Sequence, residues 1–468
     1  MDKKILKDAI KESIERNKNE IIRIGDEIFR NPETGFKEFN TARIVMDKFT
    51  ELGLKFTNIK EYPGVKATVD TGREGPTVAI VAELDSLVCS DHPECNKETG
   101  AVHACGHNAQ VAAMLGAAIG IFEAGAASHL SGKIHFIAVP AEEYIEIAYR
   151  MQLREKGIIK YLGGKPELLR QGYFDDVDMC ISIHASANRS KKITTRKSAN
   201  GCIVKNIIYK GKSAHAGASP HAGVNALYAA NLGLSAINSI RETFIDDEHI
   251  RVHPIITKGG EVVNAIPADV HIETFVRGKT LESMIKAAMK VDRAIVGGAY
   301  AMGAKVEIHD LPGYLPVAYD DTLRSIAKEV ALDLVSEEEY GEGGHGFGST
   351  DWGDISTIMP VLETSISGFA GAGHGADYRI DNPDTAYILS SKYLALMAVE
   401  LLWDQAEKAK LVLNQFKPVF KSKQEYFDKV DRLFRKRVLP EKDYEDRDMQ
   451  ELLIESSGAG SKSMSFKF

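Results

Sequence analysis

Cysteine, histidine and glutamate residues recur in this chain where apolar, strand-like runs give out, and such side chains brought together can hold divalent cations. The run Thr77–Ala82 ends at Glu83-Leu84-Asp85, Lys133–Val139 at Pro140-Ala141-Glu142-Glu143, and Met179–Ile183 at His184. Between the first two lies His103-Ala104-Cys105-Gly106-His107, just ahead of a small-residue helix. Downstream, the run Thr364–Phe369 is followed by Gly371-Ala372-Gly373-His374. In open α/β sheets, ligands bind in the crevice beyond the carboxyl ends of the strands. Cys105 and His107, two apart in a glycine-containing turn, can reach one ion; a buried thiol beside a surface imidazole is the plainer alternative. Glu142 and Glu143 leave a strand pointing in different directions, so one can bind metal while the other acts on water as general base. A solvated acidic loop is the competing reading, but Ile137-Ala138-Val139-Pro140 implies burial, where an unpaired charge is costly. His184 and His374 complete a set of five ligands, enough for two divalent ions. Asp85 can orient a ligand histidine or simply cap a turn.

These side chains need a scaffold, and the rest of the chain supplies one. Its 468 residues, 44% hydrophobic and 26% charged, suit a globular protein of two or three domains. A net charge of −8 argues against nucleic acid and anionic membranes as partners. Five cysteines, few and odd in number, fit a reducing compartment better than a disulfide framework. With no secretory signal and no run of about 18 apolar residues, the expected location is the cytoplasm.

Isoleucines 10, 14, 21, 24 and 28 predict a helix over 3–31, ended at Asn31-Pro32, and a second helix follows over 37–53. From there to about 195, strand-like and helical runs alternate, the pattern of a largely parallel sheet flanked by helices. A polar insertion occupies 144–174. Between about 197 and 310 the order becomes β-α-β-β-α-β, a split-βαβ (ferredoxin-like) sandwich. The α/β rhythm then resumes. The expected organisation is therefore a catalytic domain in two parts (1–196 and 311–405), an inserted domain (197–310), and a C-terminal extension (406–468). That extension reads as a charged helix over 406–435 and a disordered Ser/Gly tail at 456–464. The glycine-rich segment 341–348 lacks the Gly-Lys-Ser/Thr ending of a phosphate loop and reads as a flexible active-site loop. Cys89, His92 and Cys95 could form an extra zinc site with His103; a loop merely rich in thiols and polar groups is the favoured alternative.

His103-Ala104-Cys105-Gly106-His107-Asn108, Pro140-Ala141-Glu142-Glu143, and Gly211-Lys212-Ser213-Ala214-His215-Ala216 with Pro220 and Gly223-Val224-Asn225-Ala226 resemble the M20 metallopeptidase family. Asn264-Ala265-Ile266-Pro267, Gly348-Ser349-Thr350-Asp351-Trp352-Gly353-Asp354 and His374 continue the match in order, over roughly residues 15–405. The resemblance is to the amidohydrolase branch, of aminoacylase-like and p-aminobenzoyl-glutamate hydrolase-like enzymes. Many members carry Asp and a later His where this chain has Asn108 and Gln110; p-aminobenzoyl-glutamate hydrolase-like and dipeptidase-like members also carry Asn there and share the Gly348-Ser349-Thr350-Asp351 stretch, so the resemblance favours that sub-branch.

The resemblance implies that Cys105, His107, Glu143, His184 and His374 bind two divalent ions, zinc or manganese, and that Glu142 is the general base. It further implies that His215 reaches from an inserted lid across a homodimer to support the oxyanion. Asn264 and Arg277 would hold a substrate carboxylate, a task that suits a planar guanidinium. The implied substrate is an N-acyl amino acid, an aminoacyl-aromatic conjugate or a dipeptide. A broad dipeptidase and a non-catalytic binding protein of the same fold are the alternatives.

Overall fold

The computed structural model describes residues 2–439; the Ser/Gly tail lies outside them. Its larger sheet has eight strands, in the spatial order 55–58, 65–70, 133–139, 77–83, 179–185, 361–366, 193–195 and 340–342. The four strands Lys133–Val139, Thr77–Glu83, Met179–Ala185 and Val361–Ile366 run parallel. The outer partners Val65–Asp70 and Ile193–Thr195 join antiparallel. Every residue of Thr77–Glu83 is buried, as expected for a parallel strand covered on both faces. The protein is thus an α/β structure with a mostly parallel central sheet flanked by helices.

Helix His107–Glu123 is buried along almost its whole length because it is wedged among others. It packs on Lys3–Arg16, Lys18–Arg30 and Ser390–Leu402 as well as on the sheet. Small residues permit this approach: a Cβ on Gly116 would lie 2.2 Å from the Ser391 hydroxyl. Within the π-helical and α-helical stretch Asp384–Leu402, long and apolar enough to cross a membrane, 83% of the most apolar window is buried inside the protein. It is a core element here.

The second sheet is antiparallel, ordered 251–252, 269–278, 201–210, 305–314 and 435–439, with 255–258 also paired to 269–278. Helices Ala226–Ser239 and Leu281–Ala301 pack together over it and share a separate core that includes Ile207, Tyr209, Val276, Val291 and Ile295. Along 201–314 the order is a strand, a helix, two short strands Arg251–Val252 and Ile255–Lys258 where one was expected, the strand Asp269–Gly278, a helix and a strand. The opposite face of this sheet presents Val204, Leu311 and Tyr314 to Tyr144, Ile147 and Leu162 of the first unit.

Several local expectations need correction. The single helix over 3–31 is broken at Asn17 into Lys3–Arg16 and Lys18–Arg30. The strand expected over 364–369 lies at Val361–Ile366. His374 therefore sits eight residues beyond it, on the turn of a small hairpin, Phe369–Ala370 with Arg379–Ile380. The glycine-rich segment contains short strands, Tyr340–Glu342 and His345–Gly346. The C-terminal extension is two helices, Glu407–Gln415 and Lys423–Asp431, followed by a strand, Arg435–Leu439, that extends the second sheet. Three basic residues followed by Val438-Leu439 show no alternation that would announce a strand; pairing with Val306–Asp310 decides it. The 144–174 insertion, polar in composition, buries Arg150, Lys165 and Glu167 completely.

Candidate metal centre

The five expected ligands converge. Cys105, His107 and His184 place ligand atoms within 4.8 Å of one another, and so do Cys105, Glu143 and His374. Cys105 belongs to both groups, so its thiolate can bridge two ions. The Cys105 Sγ lies 3.5 Å from His184 Nε2, and His374 Nε2 lies 3.1 Å from Glu143 Oε1. Gly106 makes the Cys105–His107 turn possible. Its φ is +84°, and a Cβ would stand 2.4 Å from that of Ala185. His374, also at positive φ (63°), is presented at a turn rather than packed.

The Glu142-Glu143 turn begins at Ala141, held at φ +55°. Side chains from four elements grip its backbone. The Ala141 N–H donates to Glu38 Oε1 (2.7 Å) and the Glu143 N–H to Asp85 Oδ2 (2.8 Å), while Arg150 donates to the Glu143 carbonyl and Tyr314 to that of Glu142. Asp85 serves the imidazole too: His107 Nδ1 donates to its carbonyl (2.9 Å) and lies 3.2 Å from its Oδ1. This fixes the tautomer that leaves the His107 Nε2 lone pair facing the cluster.

For the polypeptide alone, the charges are those of an ion site. Burial opposes the Cys105 thiolate, yet His184 and His107 bring the thiol down to about 6. Burial likewise works against the Glu143 charge, and His374 nevertheless holds it at about 2. His374 is pushed up to about 11 by Glu143. Burial, reinforced by Glu83 and Glu143, raises Glu142 well above the carboxylate range. That is the direction a proton acceptor working near neutrality requires. His107 Nε2 and Glu143 Oε1 are buried without a hydrogen-bond partner. An unpartnered imidazole nitrogen and carboxylate oxygen beside the Cys105 thiol fit divalent ions.

Around the cluster lies a cavity of about 220 Å³ lined by Glu142, Tyr144, Arg196, Phe275, Arg277, Tyr314, Tyr319 and Glu363, among others. Arg277 enters it from the second sheet, with its Nε buried and unpartnered. Asn264 and His215 do not line it. They stand together, exposed, at the far end of the second sheet, where the Ala216 N–H donates to the Asn264 carbonyl. His215 Nδ1 accepts from the N–H groups of Gly217 (3.2 Å) and Ala218 (3.0 Å), so its Nε2 carries the proton and points a donor outward.

The Cys89–Cys95 loop is no cation site among the described residues. His92 uses one ring nitrogen on the Tyr378 carbonyl (2.8 Å) and the other on the Glu94 N–H (3.1 Å).

Two residues of the centre are not anticipated by the sequence. Glu83 closes its strand beside His107, and Lys165 comes from the helix Gly164–Arg170 to meet Glu83 and Asp351. Glu83 stands in the strand-end motif Glu83-Leu84-Asp85, which was the available signal. Lys165 had none.

The fold matches a crystal structure from Bacillus subtilis described as a dinuclear metal-binding peptidase of the M20 family. The TM-score is 0.61 at 21% identity, covering 83% of this chain and 99% of that one. Among curated proteins, the chain is 27% identical to an Arabidopsis thaliana IAA-amino acid hydrolase ILR1-like 2, over 83% of this chain and 86% of that protein. It is 28% identical to a p-aminobenzoyl-glutamate hydrolase component from Escherichia coli (strain K12), over 64% of this chain and 59% of that protein. The model of Peptidase family M20/M25/M40 matches residues 79–399, well over half the chain. A metal-ligand cluster at the parallel strand ends and a family match across both sheets lead to one conclusion: the chain belongs to Peptidase family M20/M25/M40, hydrolases of amide bonds.

Proposed function

We propose that this protein hydrolyses the amide bond of N-acyl amino acids or aminoacyl-aromatic conjugates that carry a free carboxylate. The observation that carries the reading is one cavity lined by Cys105, Glu143, His184 and His374, the adjoining Glu142 and the guanidinium of Arg277, with His107 grouped behind Cys105. The names of the curated relatives, hydrolases of acylated or aromatic amino-acid conjugates, support the substrate class.

Cys105, His107 and His184 would hold one ion and Cys105, Glu143 and His374 the other. Two divalent ions, zinc or manganese, would supply Lewis acidity that polarises the scissile carbonyl and acidifies the attacking water. Glu142 takes the proton of that water and later delivers it to the leaving nitrogen. Asp85 keeps His107 in its ligating tautomer. Arg277 pairs with the substrate carboxylate.

His215 and Asn264 belong to the same reading through a second copy of the chain. Residues 197–310 act as the lid, and its far end carries exposed Ile255, Ile256, Val262 and Val263, the last fully exposed. An apolar tip bearing a free imidazole donor suits a homodimer in which each lid completes the partner's site. The five unpaired cysteines suit the reducing cytoplasm.

A dipeptidase activity is the second reading, favoured by Glu363. This carboxylate lines the cavity, accepts from Tyr319 (2.9 Å) and could receive a free amino group. Release of free amino acid from N-acyl amino acids, p-aminobenzoyl-glutamate and a dipeptide panel, with ion-loaded protein, separates the two. Conjugates cleaved well ahead of dipeptides are expected; uniform cleavage of dipeptides with inert conjugates would reject the first reading.

A further inference from the structure

The charges beneath the cluster do not balance. With His107 neutral, as a metal ligand must be, Glu83 and Asp351 share a single cation, Lys165, and all three side chains are essentially inaccessible to solvent. Lys165 Nζ is 2.5 Å from Glu83 Oε1 and also contacts Asp351 Oδ1, and its backbone N–H donates to Asp351 Oδ2 (2.9 Å). Two buried carboxylates thus face one ammonium, with Glu142 close by. A buried net negative charge is costly unless a further cation offsets it.

Glu83 shows where that cation would sit. Its Oε2 accepts from Gln110 Nε2 (2.7 Å) and lies 3.2 Å from His107 Nε2. That nitrogen is the ion-facing one, because Nδ1 is committed to Asp85. Two donor atoms 3.2 Å apart can share one ion at ligand distances of about 2.0–2.2 Å. Glu83, His107 and Glu142 also form a third group whose ligand atoms lie within 4.8 Å of one another.

We infer that Glu83 is a sixth protein ligand, serving the ion held by His107 and His184, with Lys165 and Gln110 as positioning residues that aim its carboxylate. The inference rests on the two-ion reading above. Lys165 pins one carboxylate oxygen and leaves the other, steered by Gln110, for the ion. When no ion is bound, the same ammonium keeps Glu83 in place through its contact with Oε1. The insertion 144–174 therefore shapes the metal centre through Lys165 as well as through Arg150.

The test compares wild type with Glu83→Gln and Glu83→Asp by counting bound zinc, by chelator competition and by the visible absorption of the cobalt(II)-loaded proteins. Glu83→Asp keeps the charge that Lys165 requires and withdraws the carboxylate by one methylene, so it stays informative if Glu83→Gln does not fold. The expected result is one ion bound normally and the other weakened by more than about 100-fold, beyond the usual effect of a residue that merely supports a ligand. The cobalt spectrum should change with it. Two ions at wild-type affinity would overturn the inference, and so would weakened binding with an unchanged spectrum, which assigns Glu83 to supporting His107 only. If wild type itself binds fewer than two ions, the two-ion reading fails first and the inference falls with it.

Discussion

Two parts of the molecule carry histidines with opposite surroundings. At the parallel strand ends, His107 and His184 are enclosed with Cys105 and Glu143, each ring fixed by backbone or carboxylate and each charge answered by a neighbour. At the far end of the second sheet, His215 stands in solvent, with its Nδ1 satisfied by its own loop and its Nε2–H free. The first site gathers its ligand atoms from one chain and leaves His107 Nε2 and Glu143 Oε1 buried without a hydrogen-bond partner. An exposed donor can serve another molecule. On the proposed reading, the centre is built in cis and the oxyanion support would be supplied in trans.

The largest effect should come from the buried side. Glu142→Gln is expected to lower kcat by about 10²–10⁴ with both ions still bound, measured by steady-state kinetics alongside metal analysis. Activity near wild type would remove Glu142 from proton transfer. Next, His215→Ala should lower kcat by about 10²–10³ without changing metal content. Mixing it with Glu142→Gln under exchange conditions should then restore about a quarter of wild-type activity, because half of the dimers would contain one intact site. No recovery in dimers shown to exchange would place His215 in cis and erase the contrast.

A smaller effect is expected where the two regions meet. Arg277→Lys should raise KM by about 10-fold with little change in kcat, because a point charge replaces a planar fork opposite the substrate carboxylate. An unchanged KM would free Arg277 from that role. The mildest perturbation is pH. His184 sits at about 9, burial opposing its charge and Cys105 favouring it, and it must lose its proton before binding an ion. Metal affinity should therefore rise as pH increases toward 9 and fall on acidification, with proton release on binding seen by calorimetry in two buffers.

Much of the centre was legible because its ligands follow buried strands, and a buried parallel strand writes a continuous apolar run such as Val78–Ala82 or Ile134–Val139. His374 was located by its glycine-rich turn although the preceding strand ends earlier than its sequence suggests. Lys165 was not legible at all. A lysine in a polar insertion reads as a solvated surface group, and nothing within a few residues of it announces that Asp351 lies 186 positions away. The same holds for Arg150, buried against the Glu143 carbonyl.

By itself, then, the sequence determined which donors end which strands, the succession of strands and helices along 201–314 and the family that both imply. Local hydrophobic patterning and turn chemistry are enough for that. Only the tertiary structure decided that Cys105 sits in both ligand groups, that Glu83 and Lys165 underlie His107, and that Arg435–Leu439 joins the second sheet. It also separated His215 and Asn264 from the cavity that Arg277 enters. Each of these outcomes depends on burial and on pairing across long stretches of chain, where the free energy of a charge or a strand edge is set by its neighbours in space.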